Sequence, residues 1–259
     1  MMLSLICEIR VNYKMKSEDI IKALSFNTFI PFFYPALMLP LRYYRKRAIK
    51  MLNFHQGDMI FIPGVGSGHD LPSLPKGVRV EGIDISESML AIAKAKLKLS
   101  GVEKNVTLTI MDAETLAFPN NIFDKAILSL FLTCVFDQKK AFAEVVRVVK
   151  PGGEILIYDH LIREKRWSKY FLRPFDAVMK YNFCSVIRTI ESCIEGQPVS
   201  IVRVMPGDPF GYIKTFLLRK DSENPTKNKG PLRHWNFLSK WWSRMRLKDR
   251  FSHLLLRSA

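Results

Sequence analysis

Residues 59–68 read Met59-Ile60-Phe61-Ile62-Pro63-Gly64-Val65-Gly66-Ser67-Gly68, an apolar run that passes straight into three glycines at alternate positions. The apolar run reads as a buried strand, because both of its faces are hydrophobic. Glycines spaced in this way let the backbone turn sharply and approach a ligand closely. Working outward, Val78–Ile83 is a second strand ended by Asp84, and Ser86 caps a helix with Met89, Leu90, Ala93 and Leu97 at helical spacing. Val106–Met111 and Lys125–Leu130 read as the third and fourth strands. Ala141–Val149 reads as a helix stopped by Pro151-Gly152-Gly153, and Glu154–Tyr158 as the fifth strand. Strands separated by helices imply a mostly parallel sheet covered on both faces, since parallel strands need crossover connections. Val199–Met205 and Tyr212–Leu218, joined by a Pro-Gly turn, read as a closing antiparallel pair. The expected fold class is therefore α/β, a Rossmann-like, doubly wound sheet of seven strands.

In such a sheet the ligand lies beyond the carboxyl ends of the strands, where the strand order switches. The sequence places a polar group at three consecutive strand ends. The glycine loop follows the first. Asp84 closes the second, twenty positions after Gly64, where a carboxylate can accept hydrogen bonds from both hydroxyls of a ribose. Asp112 closes the third, in Met111-Asp112-Ala113, placed to receive an adenine amino group. A dinucleotide fingerprint prefers glycine at its sixth position, which here is His69. The pattern favours a methionine-linked nucleoside over NAD, leaving an oxidoreductase as the weaker reading.

These stretches resemble the motifs of class I S-adenosylmethionine-dependent methyltransferases. Phe61–Gly68 is similar to the first motif, Gly82-Ile83-Asp84-Ile85-Ser86 to the second and Met111-Asp112-Ala113 to the third. Glu144-Val145-Val146-Arg147-Val148-Val149-Lys150-Pro151-Gly152-Gly153 is similar to the helix and turn before the fifth strand. The resemblance spans about residues 30–220. It points to the branch of ubiquinone/menaquinone and phosphatidylethanolamine N-methyltransferases, and also to membrane-bound alkyl-thiol methyltransferases. It implies S-adenosyl-L-methionine as cofactor, with Gly64, Val65, Gly66, Gly68, Asp84, Ile85, Met89, Asp112, Ala113 and Ser129 around it. One position departs from the pattern: Ile62 stands where the family carries an acid two residues before the first glycine. That departure keeps a second reading open, a non-catalytic cofactor-binding or scaffold member of the same fold.

Methyl transfer from a sulfonium is an in-line displacement that requires positioning rather than a fixed triad. His160, with Asp159 beside it after the fifth strand, is the candidate general base, because an unperturbed imidazole titrates near neutrality. The same His also suits a helix cap. Tyr34 and Phe131 are candidates to cover the cofactor and acceptor, and simple packing explains Tyr34 equally well. Met89 fits an adenine slot or the helix core.

The remaining signals are bulk ones. Of 259 residues, 48% are hydrophobic and 25% charged, as in an ordinary folded protein. The net charge of +16 is not ordinary and draws the surface to phosphate. Three regions are expected: a helical N-terminal cover over 1–53, the Rossmann-like domain over 54–220, and a basic linker and amphipathic segment over 221–259. From Lys227 to Ala259 nine basic residues face one acid, Asp249, and supply +8 of the total. Trp235, Leu238, Trp242 and Met245 recur there at helical spacing, the composition of a helix lying in a membrane interface. Packing on the domain, or disorder, explains the same segment. Tyr43-Tyr44-Arg45-Lys46-Arg47 forms a second basic patch. No recognised nucleic-acid motif accompanies the charge, so a small-molecule or lipid acceptor and an anionic membrane surface are the expected partners. The four scattered cysteines show no zinc spacing and fit a reducing, cytoplasmic setting. Phe29–Leu41 is too short to span a bilayer. Substrate identity and oligomeric state are not encoded in any motif.

Overall fold

The computed structural model describes residues 41–100, 105–160, 189–207 and 213–222. Tyr34, most of the Leu161–Gly196 segment and the basic Lys227–Ala259 segment lie outside the described residues.

Chain order runs α1 (Arg42–Ile49), β1 (Met59–Pro63), a 3₁₀ turn (Leu71–Ser73), β2 (Arg79–Asp84), α2 (Glu87–Ser100) and β3 (Val106–Ile110). It continues with β4 (Phe123–Ser129), α3 (Gln138–Val148), β5 (Val149–Asp159), α4 (Ile190–Ile194), β6 (Val199–Pro206) and β7 (Lys214–Lys220). The seven strands form one sheet in the order β3-β2-β1-β4-β5-β7-β6. The first five in that order are mutually parallel, and β7 runs antiparallel to both neighbours. The order reverses between β1 and β4, which is where a doubly wound sheet opens a crevice.

Strand alternation divides the core between the two faces. Ile60 and Ile62 point into one apolar cluster with Ala48, Ile49, Leu90, Ile127, Leu156 and Tyr158. Phe61 points into the other, with Ile83, Phe123, Leu128, Phe142 and Ile157. On that second face Phe61 and Phe123 stack with ring centroids 4.9 Å apart, and Phe118 meets both edge-on.

Several boundaries differ from the sequence reading, each for a local reason. The helical run expected to continue to residue 53 ends at Ile49, and short-range turns at Met51 and Leu52 lead out of it. Helix α3 begins at Gln138, ahead of the expected Ala141, because Asp137 caps it by accepting from Lys139 N and Lys140 N. Pro151-Gly152-Gly153 does not separate helix from strand, since β5 already starts at Val149. Gly153 is required there: a Cβ would lie 2.7 Å from Val149 Cγ1 and 2.8 Å from Asp124 O. Strand β4 begins at Phe123 and stops at Ser129, because Leu130 turns to φ 53°. The closing strands are antiparallel to each other as expected, but β7 inserts between β5 and β6.

Candidate functional site

The glycine loop is built by backbone geometry that side chains rarely adopt. Gly64, Gly66 and Gly68 have φ of 61°, 55° and 74°. The loop is tied to the end of β2 twice: Val65 N donates to Ile83 O at 2.9 Å, and Gly66 N donates to Asp84 Oδ2 at 2.8 Å. Asp84 Oδ1 accepts from Ser86 N at 2.9 Å, so one carboxylate orients both the glycine loop and the start of α2. Burial raises the Asp84 pKa above the usual carboxylate value, and the backbone donors at Ser86, Gly66 and Ile85 pull against that shift. Met111 N donates to Asp84 O at 3.2 Å and draws the end of β3 alongside. Asp112 Oδ1 then accepts from Glu114 N at 2.8 Å, and Glu114 Oε1 accepts from Asp137 N at 2.7 Å. The Glu114 carboxyl is raised mainly by burial, opposed by the Asp137 amide and reinforced by Asp112.

These groups surround a cleft with about 980 Å³ of empty space, the open solvent at its mouth included. Gly64, Val65, Gly66, Asp84, Ile85, Met89, Asp112, Ala113, Ser129 and Phe131 all line it. Met89 is both cleft wall and helix core, being 3% exposed. Gly68 is not among the lining residues, and it lets the loop pack closely: a Cβ there would meet Leu71 Cδ1 at 3.0 Å and Ala93 Cβ at 3.2 Å. Neither Asp159 nor His160 lines the cleft. Asp159 is fully buried and accepts from Thr133 Oγ1 at 2.7 Å, Thr133 N at 3.2 Å and His160 N at 2.7 Å. Its carboxylate holds the loop after β4 against the end of β5.

Arg45, Ser67, His69 and Glu114 also line the cleft and were not singled out from sequence as ligand contacts. Arg45 belongs to the run read as a basic surface patch. Its neighbours Arg42, Lys46, Arg47 and Lys50 are exposed, whereas Arg45 is 6% exposed and shares the inward helical face of Ala48 and Ile49. Arg45 Nε lies 3.2 Å from Asp70 Oδ1. Lys96 Nζ donates to Ser67 O at 2.9 Å. His69 is lowered to about 4, first by burial and then by the charges of Lys96, Arg45 and Arg42, with Asp70 acting in the opposite sense. Periodicity could have flagged position 45 as facing inward with 48 and 49. The pairing with Asp70 has no sequence signature.

Comparison with known proteins agrees with this geometry. Residues 62–157 match the family described as a methyltransferase domain. The match runs from the end of β1 into β5, so the part of the chain that builds the cleft is what resembles a methyltransferase domain. The chain is 36% identical over 121 residues to a phosphatidylethanolamine N-methyltransferase of Cereibacter sphaeroides, covering 47% of this chain and 59% of that protein. It is 33% identical over 122 residues to a ubiquinone/menaquinone biosynthesis C-methyltransferase of Hydrogenovibrio crunogenus, covering 46% of this chain and 48% of that protein. The chain therefore spans roughly half the length of the curated relatives it matches. A solved methyltransferase structure from Aquifex aeolicus has the same fold, with a TM-score of 0.56 at 20% identity over 74% of this chain and all of that one. The methyl donor of this family is S-adenosylmethionine. The residues present fit it. The Gly66 cradle leaves room that a Cβ would take up against Met89 Cε, 3.4 Å away, and carboxylates stand at the two adjoining strand ends.

Proposed function

We propose that the protein is an S-adenosylmethionine-dependent methyltransferase acting on an amine, thiol or hydroxyl of a small or lipidic acceptor at a membrane surface. The observation that carries this reading is the convergence of the glycine loop, Asp84 and Asp112 from three strand ends on one cleft. Asp84 is assigned to the ribose hydroxyls and Asp112 to the adenine amino group, with Ile85, Met89 and Ala113 as the apolar walls of the base slot. The backbone of Gly64–Gly66 is assigned to the amino-acid tail. When bound, the cofactor supplies an electrophilic methyl group and its own thioether leaving group.

The protein's share of the reaction is then alignment and exclusion of water. Ser129, Leu130 and Phe131 leave β4 at the rim of the cleft, and Phe131 packs so tightly over Gly64 that a Cβ there would lie 2.6 Å from its ring. Leu130 holds φ 53° through its N–H to Tyr158 O at 2.7 Å, and Asp159 holds Thr133 three residues on. This rigid loop is assigned to the acceptor side.

Ile62 does not argue against the cofactor. It is 1% exposed, inside the apolar cluster with Ala48 and Ile49, so the chain has filled the position of the usual acid with core. The lipidic acceptor rests on the +8 of Lys227–Ala259 and on the kinds of acceptor named for the two relatives above. Among the described residues no helix is long and apolar enough to cross a membrane.

Calorimetric titration of the purified protein with S-adenosylhomocysteine tests the reading. Micromolar binding is expected, and no binding by folded protein leaves the scaffold reading in its place. The membrane part is tested separately: full-length protein should sediment with anionic liposomes at low salt and release as salt rises.

A further inference from the structure

The two edges of the sheet are built differently. Among the described strands, β6 ends the sheet on one side and β3 on the other. An open edge presents a row of unpaired amides and carbonyls, and proteins blunt such edges with charge, proline or a bulge. Strand β6 has all three: exposed Arg203, Pro206 at its end, and a register shift between Ile201 and Arg203. Strand β3, Val106-Thr107-Leu108-Thr109-Ile110, has none of them. Its Thr107, Thr109 and Ile110 are exposed, Ile110 at 51%.

The pairing with β2 fixes which backbone groups of β3 face outward. Met111 N donates to Asp84 O in β2 at 3.2 Å. Backbone groups alternate between the two sides of a strand, so Thr107 and Thr109 also turn theirs toward β2, and Val106, Leu108 and Ile110 turn theirs to the open edge. That outward set is symmetric about Leu108. When the strand is laid antiparallel on a copy of itself, Leu108 faces Leu108 of the second copy and Val106 faces Ile110 of the second copy. Each of these pairs joins two outward residues, which can exchange both of their hydrogen bonds. Thr107 then meets Thr109 of the second copy at the closer, non-bonded positions, where Thr–Thr pairs are favourable. Val, Leu and Ile side chains share one face of the joined strands and threonines the other. Such self-complementarity is what a two-fold interface requires.

We propose that β3 is a dimerisation edge, on which a second copy of this chain adds its own β3 antiparallel about Leu108, so that two sheets become one. The proposal stands apart from the reading of the cleft, because it uses the edge of the sheet and not the ends of its strands. It also gives Ile110, exposed in one copy, an apolar partner in Val106 of the second.

Sedimentation velocity of the full-length chain tests it. Wild type is expected to show a reversible monomer–dimer equilibrium in the micromolar range, since one short strand pair buries less than the roughly 1,200 Å² at which stable complexes begin. Thr107→Lys combined with Thr109→Lys sets like charges against each other in both threonine pairs and should weaken the dimer at least about tenfold. Thr107→Lys combined with Thr109→Glu sets opposite charges across the same pairs and should dimerise at least as well as wild type. Both positions are exposed, and thermal unfolding checks that each double variant is folded. Hydrogen exchange on wild type supplies a reading that needs no variant: the amides of Val106, Leu108 and Ile110 should gain protection only at concentrations where the dimer forms.

A wild type that stays monomeric to about 200 μM, beyond the range of a weak specific interface, would overturn the proposal. So would equal dimerisation by the two double variants, which would place the interface elsewhere. Protection of the three amides in the monomer would also overturn it, by showing that the chain covers this edge itself.

Discussion

The amide of Gly66 donates to Asp84 Oδ2 at 2.8 Å, so the glycine loop and the carboxylate at the end of β2 are one hydrogen-bonded unit. A change at either residue acts on the other. Asp84→Ala should weaken S-adenosylhomocysteine binding by about 1–3 kcal/mol, through loss of charge-assisted bonds to ribose and slackening of the loop. Asp84→Asn keeps one oxygen acceptor and should lose less. Titration calorimetry of the two variants separates the contributions, and unchanged affinity in both would move the nucleoside elsewhere.

Gly64 and Phe131 are coupled by contact. Alanine at position 64 combines φ 61° with a Cβ 2.6 Å from the Phe131 ring, so Gly64→Ala should destabilise the protein by about 1–3 kcal/mol and impair cofactor binding. Phe131→Leu on that background relieves the contact but not the backbone strain. The double variant should recover part of the loss by urea denaturation, and no recovery would mean that strain alone is responsible.

His69 makes folding stability fall on acidification. Its folded pKa is about 4 against 6.5 for the free side chain, so between these values the unfolded chain binds the extra proton and the folded chain does not. Stability is therefore lost as pH drops from about 6.5 toward 4. Asp84 and Glu114, both raised by burial, act in the opposite sense, since the folded chain holds their protons more firmly than the unfolded one. Comparing urea midpoints of wild type and His69→Gln at pH 7 and pH 5 isolates the His contribution. The variant should lose less stability between them.

The ribose hydroxyls assigned to Asp84 would donate more strongly to its ionised carboxylate than to the neutral acid. Because its pKa is raised, cofactor affinity should decline on acidification at a pH above the ordinary carboxylate range. A pH series of calorimetric titrations checks this, and Asp84→Asn should flatten that part of the profile.

Asp159 and Thr133 hold the loop assigned to the acceptor without lining the cleft. Thr133→Val deletes the 2.7 Å bond and keeps the shape. Once an acceptor is known, its turnover should fall several-fold while S-adenosylhomocysteine affinity stays within about twofold of wild type. Equal loss of both would mean that the loop also supports the cofactor.

The sequence by itself determined the sheet and the residues that line the cleft at the ends of its strands. Those features are local: a two-residue alternation, a glycine loop, and a carboxylate at the end of a strand each occupy a short window whose chemistry is fixed by residue type and spacing. It also set Gly64, Val65, Gly66, Asp84, Ile85, Met89, Asp112, Ala113, Ser129 and Phe131 on strand ends or in the turns and helix start beyond them, which in a parallel sheet all open toward one crevice. Only the tertiary structure decided what required two distant segments to meet. Composition cannot distinguish Arg45 from Lys46, yet the turn of α1 over the sheet buries one beside Asp70 and leaves the other in solvent. Asp159 stands beside a histidine in the sequence, and only the packed chain brings the loop after β4 to its oxygens. The insertion of β7 between β5 and β6 likewise has no local signature, because the sequence pattern of the two closing strands does not say which of them pairs with β5. Backbone chemistry sets the elements, but charge pairing and strand order belong to the packed chain.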